Sequence, residues 1–258
     1  MKRISKLIWF LVHRHGSIVA SLYAEGYNVN EIYDIFKNYA SKIKYFEYKN
    51  IFKLIGGIVF SGKISIMGLS SGAKIEKYIK NFSKKKNVYS ITDVKIPLFI
   101  SSVNLTNGDT YIFTSEKPKK DDKVKYTNKI DIAKAVRASC SYPGIFEPCK
   151  ISGIEFVDGG IRENIPWKVL KYYGADKIVS VSFENNGIKE CCSNMFNVID
   201  CSFDYVTQEL KEYELYGNTD VIEVSTDKIN LLDASKVDEL YEIGYKEGKE
   251  YVKSNFKI

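Results

Sequence analysis

Histidine is nearly absent from this chain. Its 258 residues hold two, His13 and His15, both near the start. A Ser–His–Asp arrangement anywhere else is therefore hard to build. Cysteine is sparse and odd in number: Cys140, Cys149, Cys191, Cys192 and Cys201 form no regular framework. That usage argues for reduced thiols and a cytoplasmic protein. No C-x-x-C pair exists, so no zinc site is expected, and nothing implies another metal or cofactor. The adjacent Cys191 and Cys192 read as ordinary exposed or packed thiols rather than as a redox pair.

Long apolar runs are missing as well. The run Leu7 to Val12 falls far short of the roughly 20 residues a membrane span needs. "MKRISKLIWFLV" has the basic start of a signal peptide. Its apolar stretch is too short, however, and runs directly into His13, Arg14 and His15. The charge excess is also small: 38 basic against 32 acidic residues give a net charge of +6. No nucleic-acid reader motif accompanies it, so nucleic acid is not an expected partner. A Lys-dominated excess could favour an anionic surface such as a membrane, although most such excesses are solvated faces.

What is present is an alternation of strand and helix signals, which points to an α/β layer fold. "KLIWFLV" fits a short buried strand, and "GSIVASLYAEG" a helix ending at Gly26. "NVNEIYDIFKNYASKI" is amphipathic, with Asn28 or Asn30 as cap and Ile32, Ile35, Phe36 and Tyr39 on one face. "GAKIEKYIKNFSK" is another amphipathic helix. "IPLFISSVNL" and "DTYIFTS" read as strands joined at Asn107-Gly108, a hairpin signal. "EKPKKDDKVKY" is a charged loop. "KIDIAKAVRASCSYPG" is a helix broken near Pro143-Gly144, and "GIEFVDGG" a strand ending in a glycine turn. "PWKVLKYYGA" opens a helix at Pro166. "KIVSVSF" is expected to be a buried parallel strand. A helix over Met195 to Tyr216, the strand "DVIEVS" and a last helix "SKVDELYEIGYKEGKEYVKS" complete the order. No repeat and no interdomain linker is visible.

One stretch, Ala135 to Leu170, carries chemistry. Its strand delivers Asp158 to its C-terminal end, and Gly159 and Gly160 then turn the chain. Glycines permit positive φ and close backbone approach. Ligand sites in open α/β sheets lie at the carboxyl ends of strands, where a catalytic carboxylate is useful. The plainer alternative is that Asp158 caps the turn that follows it.

This stretch resembles the second signature of patatin-like phospholipases: an Asp-Gly-Gly turn preceded by S-x-x-x-P-x-x-F, a spacing filled here by Ser139, Pro143 and Phe146. "NIPWKVLKYYGADKIVSVSF" and, upstream, "GSIVASLYAEGYNVNEI" are similar to the same family, of a bacterial type. The resemblance runs from about Gly16 to the C-terminus. It implies a three-layer α/β/α sandwich of the patatin type. It also implies lipid or acyl-ester substrates, hydrolysed by a Ser–Asp dyad with Asp158 as its aspartate, in lipid metabolism. The serine of that dyad stands in G-x-S-x-G, a tight strand-to-helix turn that exposes Oγ.

Here the sequence departs from the family. Setting Gly16 on the second glycine of G-x-S-x-G puts Val12, His13, Arg14 and His15 over the first four positions. Arg14 then holds the serine's place, and a protonated guanidinium is no nucleophile. The Gly-rich oxyanion loop and the first strand of the family have no counterpart upstream. Two substitutes stand in the sequence. Ser17 lies one helical turn further on and would point from the helix. Ser70 is the centre of "GLSSG", which matches G-x-S-x-G literally, although the helix behind it is Lys-rich rather than small; a loop with an ordinary helix cap is the alternative.

One back-translation of Phe10–Gly16, read two bases on, encodes Phe-Gly-Thr-Ser-Ser, and dropping one base rejoins Gly16. The expectation is therefore a 1–15 aberrant segment, truncated or frame-shifted before Gly16, followed by a single patatin-like domain over 16–258. Such a chain would miss the first strand and oxyanion loop and be impaired as an esterase. The alternative is a non-catalytic pseudoenzyme that binds lipid or a protein partner. A cytoplasmic place, with contact to a membrane surface, fits both.

Overall fold

The computed structural model describes residues 10–12, 15–43, 47–62, 66–163, 165–184, 195–215, 220–226 and 234–255. The chain divides into two compact units, Met1–Ile32 with Ile43–Arg162, and Tyr33–Lys42 with Glu163–Ile258.

The elements of the first unit, in chain order, are β1 (Phe10–Val12), α1 (Gly16–Glu25), the start of α2 (Val29–Tyr39), α3 (Tyr48–Ser61), β2 (Gly68–Ser70), α4 (Ala73–Lys85), β3 (Leu98–Asn104), β4 (Thr110–Thr114), β5 (Val124–Thr127), α5 (Ile132–Ser139), β6 (Gly144–Phe146), β7 (Cys149–Ile151) and β8 (Ile154–Asp158). Six of the strands make one mixed sheet in the order β5-β4-β3-β8-β7, with β1 also on β3. β1 and β8 share an edge of β3. Phe10 to Val12 run parallel to Leu98 to Ile100, while Ser102 to Asn104 pair antiparallel with Asp158 to Phe156. Every residue of β3 is buried, so both its faces are covered. This is the mixed α/β architecture with a helix-flanked central sheet that a patatin-like α/β/α fold requires. A second, two-stranded parallel sheet pairs β2 with β6.

Local chemistry explains these elements. In α1 the buried residues Ser17, Ile18, Ala20, Ser21, Leu22, Ala24 and Glu25 reach round most of the helix, as a helix enclosed in a core requires. It stops at Gly26, whose φ of 97° lets its N–H reach back to Leu22 and Tyr23 carbonyls. Asn28 and Glu31 cap α2 reciprocally: Asn28 Oδ1 accepts from the Glu31 N–H at 3.0 Å, and Glu31 Oε2 from the Asn28 N–H at 2.7 Å. The β3–β4 hairpin closes through Gly108 N–H to Asn104 O at 2.9 Å. Asp131 Oδ1 caps α5 by accepting from Ala133 and Lys134 N–H.

Two expectations for this unit need adjustment. α5 ends at Ser139 rather than near Pro143, because the Ser141 carbonyl leaves the helix to accept the Asp158 N–H at 3.1 Å. The charged loop ends in a strand, with Val124 to Thr127 pairing parallel to β4.

The second unit holds most of α2, then α6 (Trp167–Tyr173), β9 (Val179–Glu184), α7 (Met195–Leu215), β10 (Asp220–Ser225) and α8 (Val237–Asn255). β9 pairs parallel with β10, against which α8 packs. Glu214 fixes the start of α6: its carboxylate accepts the Ile165 N–H at 2.6 Å and its carbonyl the Trp167 Nε1–H at 2.7 Å. Tyr33 packs its ring on Tyr241 at 4.7 Å and donates to Asp238 at 2.7 Å. β9 is parallel as expected but not buried throughout. Val179, Val181 and Phe183 are exposed, and the alternate positions Ser180 and Ser182 are buried, because a strand sends successive side chains to opposite faces. Among the described residues no helix is long and apolar enough to cross a membrane.

Candidate functional site

Asp158 is fully buried at the C-terminal end of β8. Its Oδ1 accepts the Gly160 N–H at 2.8 Å, so the carboxylate does cap the turn it begins. The turn does not use the positive φ that glycine allows: neither Gly159 nor Gly160 adopts one. Gly159 is required by closeness instead. A Cβ there would run into Ser101 Oγ and the Ser101 backbone of the neighbouring strand β3.

Two helix ends meet this strand end. Cys140, directly after α5, is fully buried, and its Sγ lies 3.6 Å from Ser17 Oγ in the first turn of α1. Burial pushes the Cys140 thiol up to about 12, and the Asp158 charge pushes the same way against the Ser17 contact and the Arg137 charge. Cys140 is therefore a protonated packing thiol and no substitute nucleophile. The start of α1, the end of α5 and the end of β8 thus converge. That brings Ser17, Cys140 and Asp158 into one neighbourhood. Ser17 itself is buried within α1.

Arg14 and His13 lie outside the described residues. So do Cys191 and Cys192. His15 precedes α1 in helical conformation, and its side chain makes no capping bond.

The "GLSSG" segment does run from strand to helix, from β2 through Gly72 into α4. A nucleophile elbow, however, exposes its Oγ on a strained turn. Ser70 is buried, and among non-glycine described residues only Asn87 and Ser152 have positive φ. Ser70 Oγ donates to Glu47 Oε1 at 3.1 Å, an oxygen that also accepts from the Ser71 hydroxyl at 2.7 Å and N–H at 3.1 Å. Burial raises the Glu47 pKa, but these donors outweigh it and hold the carboxyl below its ordinary range.

Arg137 ties the "GLSSG" turn to Asp158. Buried, it donates to Ser71 O at 2.6 Å, Glu147 O at 2.7 Å and Ser141 Oγ at 2.5 Å. Desolvation lowers its pKa, and the groups it donates to here are two carbonyls and a hydroxyl. Sequence reasoning left Arg137, Glu47 and Cys140 unassigned. The signal for Arg137 was its place two residues before Ser139, where the Asp158 signature begins.

Residues 15–171 match the model of the family described as patatin-like phospholipase. The chain belongs to that family. Its relatives include the uncharacterised protein YqhO of Bacillus subtilis, 30% identical over 200 residues, 73% of this chain and 66% of that protein. Lysophospholipase NTE1 of Candida albicans is 26% identical over 166 residues, 64% of this chain but 10% of that protein. The probable lipid hydrolase 463L of Invertebrate iridescent virus 6 is 27% identical over 181 residues, 66% of this chain and 56% of the viral protein. The chain thus spans two thirds or less of the length of these patatin-like relatives. The family match takes in α1, the "GLSSG" turn and Asp158, and it begins at residue 15, directly after the position of Arg14.

Proposed function

We propose that this chain has the framework of a lipid acyl hydrolase for phospholipid or related acyl esters. Asp158 is the surviving member of its Ser–Asp dyad, and the serine is missing from position 14. The observation that supports the proposal is that Cys140, which feels the Asp158 charge, touches Ser17 at the start of α1, where the serine's turn would enter the helix.

In such a dyad the aspartate takes the serine proton as Oγ attacks the ester carbonyl. The tetrahedral oxyanion is held by backbone N–H groups. Loss of the alkoxide leaves an acyl-enzyme, which water then hydrolyses. With Arg14 at the nucleophile position the first bond cannot form. Loss of a serine nucleophile costs about 10⁶-fold in rate.

The test compares hydrolysis of a short p-nitrophenyl ester by the chain as it stands, by Arg14→Ser, and by Arg14→Ser with Asp158→Ala. The first should be at background, the second above it, and the third at background again. Robust turnover by the unaltered chain that survives Asp158→Ala would overturn the proposal. A genomic reading frame upstream of Gly16 that encodes a Gly-rich loop and G-x-S-x-G would support a frame-shift origin for residues 1–15.

The missing serine also favours a second reading, a pseudoenzyme that keeps lipid affinity without turnover. Sedimentation with liposomes, measured beside the ester assay, separates the two.

A further inference from the structure

One face of α3 is apolar and exposed. Tyr48, Phe52, Ile55 and Val59 recur at i, i+4, i+7 and i+11, so they share one face of the helix. That face is turned to solvent, with each side chain between 53% and 74% exposed. Away from that face Asn50 is buried, and its Nδ2 donates to Gly68 O and Glu147 Oε1, both at 3.2 Å. An ordinary surface helix buries its apolar residues, so an apolar stripe left exposed is open to a partner.

The exposed charge along the stripe is basic. Lys49 and Lys53, four residues apart, are exposed along its flank. From Tyr48 to Ile75 the sequence has no acidic residue and four lysines, Lys49, Lys53, Lys63 and Lys74. An apolar face edged by exposed lysines is the make-up of a helix that lies in an anionic lipid interface; the acids next to it, Glu47 and Glu147, are drawn inward, Glu47 to the Ser70 and Ser71 hydroxyls and Glu147 to Asn50. A second copy of this chain would leave the exposed Lys49 and Lys53 without a partner of opposite charge on this stripe, whereas an anionic surface supplies one.

The helix is also wired to the candidate site. Asn50 bonds Glu147, Arg137 bonds the Glu147 carbonyl and Ser141 Oγ, and the Ser141 carbonyl accepts the Asp158 N–H.

We infer that the Tyr48–Phe52–Ile55–Val59 face of α3 is the surface by which this chain docks on anionic lipid. The choice of lipid as occupant rests on the lipid-hydrolase reading, while the charge argument is independent of it.

The test is co-sedimentation of the full chain with phosphatidylcholine vesicles, with and without about 30 mol % phosphatidylserine. No turnover is needed. The chain should bind the anionic vesicles more tightly and lose binding as salt rises. Phe52→Ser with Ile55→Ser should weaken partition roughly a hundredfold. Lys49→Gln with Lys53→Gln should weaken it roughly tenfold, on the anionic vesicles alone. All four positions are exposed, so thermal melts of both variants should match the parent. Failure of the parent to bind either vesicle, or equal binding by parent and variants, overturns the inference. So does a serine variant that dissociates a dimer while vesicle binding is unchanged, since that assigns the stripe to a second copy. A repaired chain that cleaves soluble esters but ignores vesicles would sink the docking surface and spare the hydrolase reading. Vesicle binding with no esterase activity after repair would do the opposite.

Discussion

Ser17 Oγ and Cys140 Sγ touch at 3.6 Å across 123 residues of sequence. That contact locks the first turn of α1 to the end of α5, and the residue after Cys140, Ser141, accepts the Asp158 N–H. Both side chains are buried. The chemistry of the pair follows from burial: a thiol pushed up to about 12 is almost entirely protonated near neutrality.

Cys140 should therefore resist alkylation. At a pH of about 8, iodoacetamide should label it roughly a thousandfold more slowly in the folded chain than in denaturant, as its thiolate fraction falls with the higher pKa. Cys140 and Cys149 share one tryptic peptide, Ala138 to Lys150, so fragment-ion sequencing of that peptide reports the label on each. Labelling of folded Cys140 at the denatured rate would show that the α1–α5 junction is open.

Gly159→Ala tests the closeness of β8 and β3. The added methyl meets Ser101 backbone as well as its Oγ, and the backbone cannot swing away. The variant should lose about 1–3 kcal/mol or more in urea unfolding. Gly153→Ala is the contrast. Nothing lies within 4 Å of a Cβ there, so its cost comes from its φ of 86° alone. Equal losses in which Ser101→Gly relieves neither variant would argue against the crowding account.

The parts legible in the sequence are those with a local code. Asn107-Gly108 announced the β3–β4 hairpin, and an apolar strand followed by Asp158-Gly159-Gly160 announced β8 and its turn. α3 was not legible. Gly56 and Gly57 interrupt its pattern, and its apolar spacing marks a face turned outward rather than a core. β9 misled for a related reason: its valines and Phe183 advertise burial, yet its serines are the buried side. In the candidate site Asp158 was legible from its motif. Cys140, Arg137 and Glu47 were not, because each acts on partners far away in sequence.

Arg137 should be hard to replace. It answers two carbonyls and one hydroxyl from a buried position. Arg137→Met leaves those acceptors without the donor, at about 1–3 kcal/mol for each group left unpaired. Arg137→Lys offers a point charge without the planar fork and should recover only part of the loss. Urea midpoints decide this; a methionine variant as stable as the parent would mean that the three bonds contribute nothing net.

Glu25 supplies a pH dependence whose sign can be worked out. It closes α1, fully buried, with Ser83 Oγ 2.8 Å from Oε1 and no partner for Oε2 among the described residues. Desolvation lifts its pKa from 4.5 to about 7, against the Ser83 hydrogen bond and the Lys86 charge. Its place at the negative end of the helix dipole also disfavours the anion. Between those two values the folded chain keeps a proton that the unfolded chain has lost. The contribution of Glu25 to stability is therefore whole below the unfolded value and falls away as pH rises through about 7. A shift of that size corresponds to roughly 3 kcal/mol. Glu25→Gln cannot ionise, so parent stability should fall relative to the variant by about that amount between about pH 5 and about pH 8. A difference between the two proteins that stays constant over that range would show that Glu25 is ionised in the core or solvated in solution.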